Sequence, residues 1–128
     1  MKFTPIDPPR RFEVSGRGVK LMLSDCAHIA LAPDEQVTFT TESGGEYDVV
    51  RKDWGFYATP STNGRLKSFG LRAALVVSGY GKLFVVLVES GREDTFLAYV
   101  TADQQRLLCW LDDDAAVARL AAHYGEGS

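Results

Sequence analysis

Leu71-Arg72-Ala73-Ala74-Leu75-Val76-Val77 and Leu83-Phe84-Val85-Val86-Leu87-Val88, joined by Ser78-Gly79-Tyr80-Gly81-Lys82, decide how this chain is read. Both flanking pieces are almost continuously apolar and rich in β-branched residues. They are too short for ordinary helices, and Gly and Ser bound them, so they read as strands. A strand without polar alternation is expected where both faces are covered. The two are therefore predicted to be the central strands of a sheet, with residues 78–82 as their hairpin loop.

On the C-terminal side, Ser90 and Glu93 stand at capping-box spacing, which predicts a helix from there to about Gln104. Phe96, Leu97 and Val100 form its apolar side. Leu107 to Leu111 is read as a strand returning to the sheet. Thr101 and Gln104 also match a capping box, so a continuing helix is the alternative. Asp112-Asp113-Asp114 opens a last helix, with Val117, Leu120, Ala121 and Tyr124 on one face and Gly125 placed to end it.

On the N-terminal side the pattern is short strands and turns. Glu46 to Val50 pairs through Ser43-Gly44-Gly45 with Val37 to Thr41, a predicted hairpin. Trp54 to Ala58 reads as a further extended piece. Asn63-Gly64 reads as a tight turn whose residues tolerate positive φ. Earlier still, Val19 to Leu23 and His28 to Ala32 read as two separate strands. Residues 1–11 carry Pro5, Pro8 and Pro9 and are expected to form an extended N-terminal arm or edge segment, since proline removes a ladder donor. The whole reads as a single α+β domain with a mostly antiparallel β-sheet, a β-meander in front and a β-β-α-β-α segment behind.

Composition narrows the function classes. With 45% hydrophobic and 24% charged residues in 128, the chain has the make-up of a globular domain and not of a disordered one. A net charge of -3 gives no general attraction to nucleic acid or to anionic membrane, so neither is an expected partner. No apolar run approaches a membrane span, and the proline-rich start has no signal core, so a cytoplasmic location is expected. Cys26 and Cys109, among apolar neighbours, are read as buried free thiols. The charge is uneven: residues 51–72 carry a net +4, and residues 73–128 a net -4.

Catalytic signatures are sparse. Asp25-Cys26-Ala27-His28 puts a thiol and an imidazole two residues apart, although catalytic Cys and His usually meet through the fold instead. His123 near a helix end suits the helix dipole. Two distant histidines and no clustered cysteines give no zinc pattern, and the aspartate triad is what a helix start calls for. No phosphate loop or other cofactor motif is present, so no cofactor is expected.

The remaining candidate is Lys52 to Leu66, where Trp54, Phe56 and Tyr57 precede Pro60, Asn63-Gly64 and Arg65. Alternation along an extended chain puts Trp54 and Phe56 on one face and Tyr57 on the other. The expected ligand site is Trp54 or Tyr57 as an apolar platform, Asn63 as a directional amide, and Arg65 and Lys67 as anion contacts. An ordinary core strand, tight turn and solvated basic flank would look the same.

This run, with Leu83 to Glu89 and Cys109-Trp110-Leu111-Asp112, resembles a group of small uncharacterised bacterial proteins. Some of these are associated with genes for surface polysaccharides or their sugar precursors. The resemblance spans roughly residues 46–114 and implies a role near bacterial glycan synthesis. The group has no established activity, so no catalytic residue carries over. The expected function is a non-enzymatic domain that binds a sugar-like or anionic ligand, or a partner protein, accessory to surface-glycan synthesis. The alternative is a small enzyme acting on an activated sugar through Cys26 or an acidic residue. Strand edges would also permit a homodimer.

Overall fold

The computed structural model describes residues 1–15 and 20–125. In chain order its strands are β1 (Lys2–Ser15), β2 (Lys20–Ala30), β3 (Gln36–Thr40), β4 (Glu46–Lys52) and β5 (Gly55–Thr59). A 3₁₀ turn (Leu66–Phe69) leads into β6 (Leu71–Val77) and β7 (Leu83–Glu89), followed by helix α1 (Glu93–Ala102), β8 (Arg106–Trp110) and helix α2 (Asp114–Gly125). All pairing is antiparallel, in three sheets ordered β1-β2, β3-β4-β5 and β7-β6-β8. This is the α+β plan with the β-β-α-β-α C-terminal half. No helix among the described residues is long and apolar enough to cross a membrane.

The N-terminal segment is more regular than its prolines suggest. β1 runs through all of them, and its register with β2 breaks only between Pro5 and Arg10, the stretch that holds Pro8 and Pro9. Pro8 and Pro9 fall within that irregularity, whereas Pro5 keeps its register opposite Ala27, and the ladder resumes at Arg10. β2 merges the two strands expected at 19–23 and 28–32 into one; Val19 itself lies outside the described residues. The hairpin is tied to the rest of the chain at its base, where the Met1 ammonium reaches the Glu35 carboxylate at 2.9 Å. Glu35 also accepts the Ala32 amide at 2.7 Å, and that bond, with the ammonium, holds its carboxyl below the usual range.

β6 is the central strand of its sheet, as predicted. Ala73, Ala74 and Val76 are fully buried, and Leu71 joins Leu66 and Ala73 in a core cluster flanked by Tyr47 and Leu111. Burial holds the Tyr47 hydroxyl above its ordinary pKa. Small residues on β6 let the flanking layers approach. At Gly45, beside this cluster, an added Cβ would lie 2.9 Å from Leu71 Cδ2, so a larger residue would have to displace that side chain.

β7 corrects the prediction. It is an edge strand, not a central one, and its apolar side chains are largely in solvent. Leu83 and Val85 are each 61% exposed and Phe84 50%. α1 begins at Glu93, but Ser90 does not cap it: the N-cap is Arg92, with no side-chain hydrogen bond, and Glu93 Oε1 instead accepts the Gly91 amide at 2.6 Å. Residues 106–110 are a strand, as read. In α2 the buried residue is Ala116, whereas Leu120 and Tyr124, assigned to the packed face, are exposed.

Candidate functional site

Two separate places receive the residues expected to form one site. The first is the β4–β5 hairpin. Trp54 lies in its turn, not in the strand, and Gly55 has φ +147°, a conformation that side-chain-bearing residues rarely adopt. That twist breaks the simple alternation. Trp54 stacks with Tyr57 (ring centroids 6.4 Å, interplanar angle 22°), instead of sharing a face with Phe56. Phe56 pairs in register with Arg51, whose guanidinium lies 5.8 Å from its ring. Tyr57 pairs with Val50 on the opposite face. Trp54, Phe56 and Tyr57 are all exposed.

The free edge of β5 is therefore flanked by rings on both faces. One further feature marks it: Arg51 Nη1 is buried with no hydrogen-bond partner. A buried donor without a partner costs free energy, so the position favours an incoming acceptor. Lys52, next along β4, is already engaged by Asp34, which raises its pKa.

The second place is a cleft of about 350 Å³ bordered by Asn63, Lys67, Arg72, Trp110, Asp112 and Asp113. Asn63 lies in a turn closed by Gly64 and Leu66 amides donating to the Ser61 carbonyl. The turn is where the sequence put it, but neither Asn63 nor Gly64 takes a positive φ. An added Cβ at Gly64 would strike Ser61 Oγ and oblige that hydroxyl to turn away. Arg65 does not border the cleft; its guanidinium lies 5.5 Å from the Phe69 ring.

Arg72 organises this cleft. Nε and Nη2 donate to the two oxygens of Asp112 at 2.7 and 2.9 Å, and Nη1 donates to Glu93 at 3.3 Å. Its guanidinium also covers the Trp110 ring at 4.0 Å, and Phe96 meets that ring edge-on at 5.7 Å. The Asp112 bonds raise the Arg72 pKa, and the Arg72 bonds lower that of Asp112, with Lys67 adding to the effect. Glu93 is lowered too, first by its own backbone amide. The guanidinium is thus saturated by two carboxylates and has little left to offer an anion. Lys67 is the cation that borders the cleft without such a bidentate partner.

Sequence reasoning missed Arg72, Trp110 and Asp112 as a unit. The available signal was the lone charge inside an apolar strand, because a guanidinium at a buried strand position must find carboxylates. The aspartate triad divides its labour. Asp112 holds Arg72, Asp113 Oδ1 accepts the Ala115 and Ala116 amides at the start of α2, and Asp114 sits in the first turn.

The expectation that both cysteines are buried is corrected. Cys26 is exposed and Cys109 half-buried, and both are free. Cys26 Sγ donates to the Ser24 carbonyl at 3.5 Å, whereas His28 Nε2 faces Asp25 at 3.6 Å. No contact between thiol and imidazole is formed. Among the described residues no group of three or more His, Cys, Asp or Glu side chains is gathered in metal-binding proximity. In comparisons with known proteins, no family model, no curated protein and no solved structure matches the chain.

Proposed function

We propose that this domain is a non-catalytic binding module that takes up an extended, acidic segment of a partner protein along the free edge of β5. One observation carries the reading: Trp54, Phe56 and Tyr57 lie exposed on both faces of an edge strand, beside a buried and unpartnered Arg51 nitrogen. An edge strand offers backbone amides and carbonyls in a row, and an added strand uses them for affinity. Its alternate side chains then meet Tyr57 and Trp54 on one face and Phe56 and Arg51 on the other. A carboxylate on the segment satisfies Arg51. Arg65 and Lys67, which like Arg51 form no ion pair with a carboxylate among the described residues, add a longer-range attraction for such a partner. An exposed strand edge suits a macromolecule better than a small ligand, which needs a concave site.

The cleft at Asn63 and Lys67 supports a second reading, a small polar ligand such as a phosphosugar, with Asn63 giving an amide and Lys67 a charge. That reading keeps the link to glycan synthesis that the resemblance implies. One experiment separates the two. The protein and its Trp54→Ala, Arg51→Gln and Lys67→Ala variants are titrated with a library of acidic peptides and, by thermal shift, with nucleotide sugars and phosphosugars. The proposal expects peptide binding that Trp54→Ala and Arg51→Gln abolish and Lys67→Ala leaves intact. Stabilisation by a sugar phosphate that only Lys67→Ala removes would replace it with the second reading. Peptide binding that both hairpin variants retain overturns the assigned edge.

A further inference from the structure

The most apolar exposed segment of the molecule lies at a different edge. β7 presents six consecutive apolar residues, Leu83 to Val88, at the margin of the sheet β7-β6-β8, with Leu83, Phe84, Val85 and Leu87 exposed. Natural sheets avoid a long apolar edge by charge, proline or bulge, and β7 carries none of these between Leu83 and Val88. β8, at the other margin, is blunted by a register break opposite Leu75 and Val76. We infer that β7 pairs antiparallel with the β7 of a second copy of this chain, joining two three-stranded sheets into one of six strands across a two-fold axis.

Three observations select a second copy as the occupant. The first is charge. β7 is preceded by Lys82 and ends in Glu89, so antiparallel self-pairing sets the basic end of each copy's strand against the acidic end of the other's. A parallel arrangement would set like against like.

The second is shape. A groove of about 550 Å³ runs beside the C-terminal half of β7, between α1 and the β3–β4 turn, with Val88, Phe96 and Tyr99 as apolar lining and Glu42, Ser43 and Arg92 as polar lining. A two-fold axis normal to the sheet must pass midway between a residue and its own copy, so one residue faces itself. With Val86 as that residue, Phe84 of one copy lies opposite Val88 of the other. Each exposed Phe84 ring is then delivered to the other copy's groove, beside Phe96 and Tyr99. The contact is isologous: the same knob and the same groove occur twice.

The third is area. The chain exposes 9009 Å², whereas monomeric proteins of this mass expose about 6,700 Å². The β1–β2 hairpin accounts for part of the excess. The whole excess, hairpin included, is larger than the roughly 800 Å² that each partner contributes to a standard interface.

The test is size measured by light scattering across a range of concentrations. The unmodified chain is expected to be a dimer that dissociates on dilution. Val85→Lys sets an unpaired charge in the interface and is expected to weaken association by about a hundredfold or more, with the circular dichroism of the monomer unchanged. Phe84→Ala removes the knob and weakens it less. If Val85→Lys fails to fold, a cysteine series through residues 84–88, on a Cys26→Ser, Cys109→Ser background, decides the matter. Spontaneous disulfide-linked dimer should peak at Val86→Cys, because directly opposed strand residues have Cα atoms about 4.5–5.5 Å apart. A monomer at every concentration overturns the inference. So does a dimer that withstands both Val85→Lys and Phe84→Ala with no cross-linking maximum at 86, since the interface would then lie elsewhere. The variants used for β5 leave β7 untouched, so the two proposals fail independently.

Discussion

β6 and β7 are neighbouring strands of equal length, paired residue for residue from Leu71↔Glu89 to Val77↔Leu83, and nearly equal in apolar content. Their surroundings are opposite. β6 is closed on both faces and both edges, by β7, β8, the core cluster at Leu66 and the Arg72–Asp112 pair. β7 has one neighbour, and half of its side chains face solvent. Apolar patterning states that a strand is to be covered; it does not say whether the cover comes from the same chain. On β6 the cover is intramolecular, and on β7 it is the basis for inferring a second copy.

The most forceful way to break this comparison is to truncate one leucine on each strand. Leu71→Ala, in the closed core, is expected to lower stability by about 2–5 kcal/mol, because a cavity remains where the side chain was. Leu83→Ala, on the open strand, should cost less than about 1 kcal/mol in the monomer, since that side chain is mostly hydrated already. Urea denaturation at concentrations low enough to hold the chain monomeric measures both. Equal losses at the two positions would mean that β7 is covered within its own chain.

A sharper version tests the polar residue that β6 carries. Arg72→Leu keeps volume but leaves Asp112 without its bidentate partner, and is expected to cost about 1–3 kcal/mol. The pH dependence follows from the lowered pKa of Asp112, and that of Glu93 acts in the same direction. A carboxyl lowered in the folded state contributes stability that is fully present above its unfolded pKa, near 4. That contribution disappears as pH falls through the lower, folded value. The unmodified protein should therefore lose stability below about pH 4, and the Arg72→Leu variant should show a smaller additional loss there. The urea midpoint followed from neutral pH into that range gives the answer. Parallel curves for the two proteins would show that Arg72 does not set the acid limb.

How much of this was legible depends on what each residue's neighbours in sequence already settle. The two apolar strands, their hairpin, the helix and strand after them and the β3–β4 turn were readable, because each rests on local periodicity and turn chemistry. The position of β7 at an edge was not, since edge or centre is fixed by which strands return to the sheet. Ser90 was a capping residue by spacing alone, yet the chain enters α1 through Gly91 at φ +94°, and Glu93 turns to the Gly91 amide instead. Trp54, Asn63, Arg65 and Lys67 were close in sequence but were parted by the turn at Pro60 and the 3₁₀ segment that follows it. Arg72 and Asp112 are 40 residues apart, and their pairing belongs to the β6–β8 ladder, which no local pattern encodes.

The smallest effect carries the comparison to another open edge, β5. Trp54 and Tyr57 stack in solvent, so their coupling in a double-mutant cycle of alanine replacements should be only about 0.5 kcal/mol, at the bottom of the range for aromatic pairs. Thermal or urea unfolding of the four proteins in the cycle supplies that value. A weak coupling fits rings that are held ready for a partner, because little of the fold's stability then rests on them. A coupling near the upper end of that range, about 1.5 kcal/mol, would place the pair with Leu66 and Leu71 as part of the structure's own packing. The exposed aromatics of β5 would then need no partner to account for them, and β7 would remain as an apolar edge whose cover is missing.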